Sequence, residues 1–239
     1  MNANLHIFPT LDCNGGCDFC AIKPGIGERS RIDFRYMPPE RWAWVLAARN
    51  PNTLYITGGE PLLYQGLAVI VNGVGCPVYL YTNGNGNLKG FLARVENTKR
   101  LRVRLSFHPH IGFKTTMRAI ETLNASAIQY SVHMVKATDG VLTWVTRFQS
   151  VGITLNVDPD FRKEGDWCGP STVDCHIPNI VVGPDGRVYP CTSKMVRGKE
   201  DLFSLEEDRP VTEKTVYRCE EPGACCACDT EFYTVRGVK

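Results

Sequence analysis

Three cysteines crowd one short segment, PTLDCNGGCDFCAI, at Cys13, Cys17 and Cys20, in the spacing C-x3-C-x2-C with Phe19 before the last. Thiolates are soft ligands that select zinc, copper(I) or iron–sulfur clusters. A structural zinc site closes its tetrahedron with four protein ligands, and the loop has no fourth: the nearest histidine, His6, lies on the preceding extended run. Three thiolates on a four-iron cluster leave one iron open to an outside ligand, as catalytic metal sites keep an open position. A second candidate is Gly58-Gly59-Glu60-Pro61, at the end of the extended run TLYITGG. Residues without Cβ let two backbones approach closely, and a carboxylate there offers a charge-assisted hydrogen bond to a cation. By itself the same tetrapeptide reads first as a tight turn with a surface glutamate.

Composition narrows the chemistry. The 239 residues are 43% hydrophobic and 22% charged, ordinary values for a soluble globular chain, and a net charge of +2 implies no partner. Eleven cysteines is a high and odd count. MNANLHIFPTLD lacks a basic region followed by an apolar run, so no secretory signal is visible. No stretch approaches the roughly 18 apolar residues that span a bilayer. A cytoplasmic location follows as the expectation. Thiols there stay reduced, so clustered cysteines point to metal or catalysis rather than disulfides.

The elements that must position these residues alternate. Extended runs begin at NLHIFPT, TLYITGG, PVYLYTNGN, LRVRLSFHP, AIQYSVHMV and GITLNVDPD. Helical patterns fall between them at PPERWAWVLAAR, LAVIVNGV, NLKGFLARVE, GFKTTMRAIETLNAS and GVLTWVTRFQSV. Such alternation predicts right-handed βαβ units on a parallel sheet. A complete eightfold barrel needs about 250 residues. The expected fold is therefore α/β, a partial (β/α)6 TIM-like barrel over residues 1–163. Beyond it the helical periodicity fades, and residues 164–239 read as a small cysteine-rich domain containing a β-hairpin, NIVVGPDGRVYPC, turning at Pro184-Asp185-Gly186.

Taken together, the cysteine motif directly after a first strand and the Gly58-Gly59-Glu60 motif ending the second resemble the radical S-adenosylmethionine (radical SAM) enzymes. The resemblance covers residues 1 to about 160. It implies that Cys13, Cys17 and Cys20 hold a 4Fe–4S cluster whose open iron takes the amino and carboxylate groups of S-adenosylmethionine. The chemistry implied is reductive cleavage to a 5′-deoxyadenosyl radical that abstracts hydrogen from a substrate. Gly58, Gly59 and Glu60 would receive the cofactor's ammonium end. Ser106, at the end of the fourth strand, would contact its ribose. Asn83, in YTNG at the end of the third, joins the candidate set, with Asn156 and Asp158 on the sixth strand as weaker members. Around the fifth strand the family often carries G-x-I-x-G-x-x-E, and SVHMVKATDG departs from it.

Cys175 and Cys191 flank the hairpin in the spacing C-x10-G-x4-C, which resembles the opening of the family's SPASM and twitch extensions. The length suits a twitch domain with one auxiliary 4Fe–4S cluster, held by Cys175, Cys191, Cys225 and Cys228. Cys226 is an alternative to Cys225, and Cys219 to either of the last pair. The same residues would also make a four-cysteine zinc knuckle. Cys168 has no assigned role, and Cys76 reads as a buried structural thiol.

In a parallel barrel the site lies at the C-terminal ends of the strands. The residues there include Lys23, Arg29, Arg31, His108, His110 and Lys114. Further along come His133, Lys136, Arg162 and Lys163. Facing these are Glu28, Glu60, Asp139, Asp158, Asp160 and Glu164. The rim is mixed but rich in phosphate donors, so a nucleotide or nucleic-acid base ranks first as substrate. A peptide maturase ranks second, because the sequence opens on its first strand without a leader-binding domain. A small-molecule radical dehydrogenase and a non-catalytic metal-binding protein complete the set, the last disfavoured by the glycine–glutamate motif. Flavodoxin or ferredoxin is the expected reductant.

Overall fold

The computed structural model of the chain describes residues 3–20, 22, 36–136, 140–158, 173–176, 179–198, 200–207, 216–219 and 235–237. Six strands alternate with five helices, as expected. In chain order they are β1 (Asn4–Ile7), α1 (Pro39–Arg49), β2 (Thr53–Ile56), α2 (Leu67–Asn72), β3 (Val78–Thr82), α3 (Leu88–Leu92), β4 (Leu101–Ser106), α4 (Phe113–Ala125), β5 (Gln129–Val135), α5 (Val141–Gln149) and β6 (Leu155–Asp158). Then follow β7 (Val173–His176), β8 (Asn179–Val182), β9 (Arg187–Tyr189), α6 (Thr192–Arg197), β10 (Phe203–Ser204), β11 (Val216–Cys219) and β12 (Val235–Gly237). Pro39 opens α1 at a position where its missing N–H costs nothing, and Asn50 closes the helix in the left-handed region at φ 44°.

One sheet of nine strands, in the order β10-β9-β8-β1-β2-β3-β4-β5-β6, runs parallel from β8 through β6. This parallel-dominated α/β sheet is the partial TIM-like barrel that the alternation predicted. The hairpin β8–β9 turns where expected, with Gly186 at φ 77° and its N–H donating to the Gly183 carbonyl at 2.9 Å. Its docking is less local: β8 pairs in parallel with β1, Asn4 opposite Asn179 and Ile7 opposite Val182. The change of sequence pattern near residue 164 is therefore bridged by main-chain hydrogen bonds. Strands β11, β7 and β12 form a second, three-stranded sheet. Glu200 links the two parts, accepting from Lys194 Nζ of α6 at 2.5 Å and from the Tyr217 hydroxyl of β11.

The pleat sorts the side chains. Leu5, Ile7, Leu54, Ile56, Val78 and Leu80 are buried in one core with Trp42, Leu46 and Ile70 of the covering helices, and Val103, Leu105 and Val132 continue the row. The intervening residues face away from the helices: His6, Tyr55, Tyr79, Tyr81, Arg102, Arg104, Ser131 and His133. Among the described residues no helix is long and apolar enough to cross a membrane.

An aromatic cluster sets the far side. Phe148 of α5 packs edge-on against Phe107 at 5.0 Å and against Phe113 at 4.9 Å, tying α4 and α5 to the end of β4. Phe148 is fully buried, so Phe148→Ala is expected to cost about 3–5 kcal/mol in a urea unfolding titration. His6 is ringed by Phe8, Tyr55 and Tyr81, and burial lowers its imidazole from 6.5 to about 4. The unfolded chain then takes up that proton first, so the group contributes full stability above pH 6.5 and loses it as pH falls toward 4. The wild-type stability curve should therefore fall more steeply than that of His6→Leu across that window, and parallel curves would remove His6 as the cause.

Candidate active site

The loop after β1 is fixed by main-chain contact with the end of β2. Gly59 N–H donates to the Thr10 carbonyl at 3.0 Å and Glu60 N–H to the Asp12 carbonyl at 2.7 Å. The approach leaves no room for side chains: a Cβ on Gly58 would sit 2.2 Å from the Thr10 oxygen, and one on Gly59 2.1 Å from the Asp12 oxygen. Gly58 also holds φ 140°, a region L side chains rarely adopt. The two glycines that the sequence singled out are thus required by the cysteine loop itself, whatever binds beside it.

Glu60 turns inward, with 1% of its surface exposed. Its carboxylate accepts from Leu62 N–H at 3.0 Å, from the Thr82 hydroxyl at 2.6 Å and from Asn83 N–H at 2.7 Å. Burial pushes its pKa up, and these three donors pull it back. Oε2 carries only the Asn83 bond among these, which leaves acceptor capacity for a cation. Asn83 is buried too, and its Nδ2 donates to Asn14 Oδ1 at 3.0 Å. Asn14 in turn donates to the Asn85 carbonyl. A ring of contacts therefore runs from the cysteine loop through Glu60 to the end of β3 and back.

Within the loop, a Cβ built on Gly15 would meet Cys13 Sγ and Cys17 Sγ, each at 3.3 Å, so both thiols border the same small space. Gly15 N–H donates to Cys13 Sγ at 3.3 Å; burial pushes the Cys13 thiol up and this hydrogen bond pulls it back. Among the described residues no three Cys, His, Asp or Glu side chains converge as ligands of a single metal ion. A four-iron cluster takes each thiolate on its own iron rather than several on one ion, and the soft sulfur donors of Cys13 and Cys17 bordering one space fit such a donor set.

Two histidines after β4, named from sequence only as rim charges, reach this loop. His110 Nε2 lies 2.6 Å from the Gly15 carbonyl and 3.6 Å from Cys17 Sγ. A carbonyl only accepts, so Nε2 carries the proton and donates. The His108 ring lies tilted 5.5 Å from Phe19, burial lowers its pKa to about 4, and among the described residues its buried Nδ1 has no hydrogen-bond partner. No spacing rule links these histidines to cysteines so far upstream, but their place after a strand end was the available signal.

The remaining candidates divide. Ser106 ends β4 as expected, opposite His133 of β5. His133 was expected beyond the fifth strand and lies within it, facing the concave side. Its Nδ1 sits 3.2 Å from Asp158 and its Nε2 3.0 Å from Ser131 Oγ. Asp158 also pairs with Arg104, whereas Asn156 donates to the Val132 carbonyl at 3.0 Å. Cys76 is buried, as its structural reading required. Cys191 caps α6, its sulfur accepting from Lys194 N–H at 3.4 Å. Cys175 lies on the central strand of the small sheet, and the buried Cys219 ends β11 opposite Val173. Cys168, Cys225, Cys226 and Cys228 lie outside the described residues, as do Lys23, Glu28, Arg29, Arg31, Asp139, Asp160, Arg162, Lys163 and Glu164.

No protein-family model matches the sequence, and no curated protein does. Solved structures do. One is Native anSMEcpe with bound AdoMet and Kp18Cys peptide, at a TM-score of 0.62 and 16% identity over 89% of this chain and 80% of that one. Another is Streptococcus suis SuiB bound to precursor peptide SuiA, at 0.60 and 13% over 86% of this chain and 63% of that one. SuiB bound to S-adenosylmethionine matches at 0.59 and 13%, and this chain spans 62% of its length. At these identities the likeness is one of fold.

Gly59→Ala should push the cysteine loop off the end of β2. The expected cost is about 1–3 kcal/mol in denaturant, together with faster alkylation of the buried Cys17 thiol. An unchanged alkylation rate would separate the loop from the glycine contact.

Proposed function

We propose that this chain is a radical SAM enzyme, and one observation carries the reading: three cysteine thiols on the loop after β1 are docked by main-chain hydrogen bonds onto the Gly58-Gly59-Glu60 end of β2. Cys13, Cys17 and Cys20 would hold a 4Fe–4S cluster. The chemistry it supplies, with S-adenosylmethionine bound, is one-electron reductive cleavage to methionine and a 5′-deoxyadenosyl radical that takes hydrogen from the substrate. The bound S-adenosylmethionine in the structural neighbours supports this reading.

The chain's own residues have definable tasks. Glu60 uses its unfilled acceptor position for the cofactor's ammonium group. The donors from Leu62, Thr82 and Asn83 keep that carboxylate oriented and offset its desolvation. Asn83 holds Asn14, and so the loop between Cys13 and Cys17. His110 donates toward Gly15 and Cys17 from the β4 side. Ser106 is assigned to the ribose.

In the C-terminal part, Cys175, Cys191, Cys225 and Cys228 are assigned to one auxiliary 4Fe–4S cluster of a twitch-like domain spanning 164–239, serving electron transfer. Flavodoxin or ferredoxin supplies the electron, in the cytoplasm. The substrate is a nucleotide or nucleic-acid base, in keeping with the basic groups near the strand ends. A peptide substrate is the second reading, and the peptide complexes of SuiB and anSMEcpe favour it.

Anaerobically reconstituted protein with S-adenosylmethionine and a reductant should release 5′-deoxyadenosine. Cys17→Ala should reduce release to background while iron remains bound in the C-terminal part. Undiminished release by that variant would sink the assignment.

A further inference from the structure

The concave face of the sheet carries a second feature. In a parallel barrel the inward residues are mainly bulky and branched, filling a packed core. Here the register aligns Tyr55, Tyr79, Arg102 and Gln129 in one layer, and Tyr81, Arg104 and Ser131 in the next. They line a cavity of about 430 Å³, within the range of small-molecule sites.

We propose that this cavity binds a mononucleotide, its base stacked on the tyrosine row and its phosphate held by Arg102 and Arg104. The pocket lies toward the N-terminal ends of the strands, with Tyr79 and Arg102 second in β3 and β4 and Gln129 first in β5, so it is a binding site apart from the cysteine loop and does not rest on the radical SAM reading. The tyrosines supply the platform. Tyr55 and Tyr79 stack at 5.2 Å with ring planes 24° apart, and Tyr79 keeps 38% of its surface exposed. Stacking of a base on an aromatic ring contributes about 1–3 kcal/mol and tolerates any base.

The charge supplies the phosphate end. Arg102 Nη1 donates to the Lys99 carbonyl at 2.9 Å and the Leu101 carbonyl at 3.1 Å, which anchors the guanidinium while Nε and Nη2 take no part in those bonds. Arg104 lies 5.4 Å over the Tyr81 ring and pairs with Asp158 through Nη2. Asp158 is itself held by both Arg104 and His133. It takes one side of Arg104, while Arg102, anchored by main-chain carbonyls, adds a second guanidinium with no carboxylate lining the cavity among the described residues, a planar donor pair suited to a phosphate. Gln129 and Ser131 add donors and acceptors for the edges of the base.

The test is isothermal titration of the reconstituted full chain, with S-adenosylmethionine present in excess to fill its own site. The ligands are AMP, GMP, CMP and UMP, the four matching nucleosides, and inorganic phosphate. At least one nucleotide should bind tenfold or more tightly than its nucleoside. Arg102→Gln and Arg104→Gln should each remove that advantage, whereas Arg104→Lys retains part of it and controls for loss of fold. Tyr79→Leu should weaken nucleotide and nucleoside alike while leaving phosphate unaffected. Equal affinity for nucleotide and nucleoside, or unchanged affinity in both arginine variants, would overturn the pocket. Substrate-free release of 5′-deoxyadenosine, measured on the same preparations, keeps the two readings apart. Release without nucleotide binding removes the pocket alone, and binding without release removes the radical chemistry alone.

Discussion

Two main-chain hydrogen bonds, from Gly59 to Thr10 and from Glu60 to Asp12, set the cysteine loop against the sheet, and most of the site follows from them. They form only because neither Gly58 nor Gly59 carries a Cβ. With the backbones in contact, the next residue, Glu60, must turn its side chain into the interior. There it meets Thr82 and Asn83 at the end of β3, and Asn83 returns to the loop through Asn14. A buried carboxylate is costly unless its acceptor positions are filled, so this ring is specified tightly: losing one donor leaves charge uncompensated in a low-dielectric setting.

The sheet separates stability from chemistry by its two faces. The helix-facing rows are aliphatic and fully buried, and they supply the hydrophobic driving force. The concave rows contribute little to that core, which frees them to carry Tyr55, Tyr79, Arg102 and Arg104, residues too polar to be sealed in a packed interior without partners. Substitutions on the concave rows can therefore alter recognition at small cost to folding, whereas the aliphatic rows admit few changes.

Much of this was legible in the sequence. Alternating runs gave the strands and helices, because each βα unit buries its own apolar stripe locally. The C-x3-C-x2-C spacing and the Gly58-Gly59-Glu60 run stood out because three thiols and a glycine pair have few structural uses at such positions. The pairing of β8 with β1 was not legible, since parallel register joins residues from opposite ends of the chain and leaves no local periodicity. The partnership of His110 with Gly15 and Cys17 was hidden for the same reason. The concave row was half visible: VYLYT and LRVRLS alternate aliphatic with polar or aromatic residues, unlike the continuous apolar runs usual in strands buried on both faces. That row lies within the strands rather than at their ends, and His133 belongs to β5 rather than to the loop after it.

The position of β1 has a consequence for biosynthesis. This strand, which carries the cysteine loop, is flanked by β2 on one side and β8 on the other. During translation its second neighbour does not exist until Asn179–Val182 has left the ribosome, so for most of synthesis β1 is an open edge with unpaired N–H and C=O groups. At about 5–20 residues per second, that interval lasts on the order of ten seconds or more. The nascent cysteine motif waits through it on an unfinished support, its thiols exposed to oxidants. The support beneath the cysteine loop is complete only once just over three quarters of the 239 residues have been made.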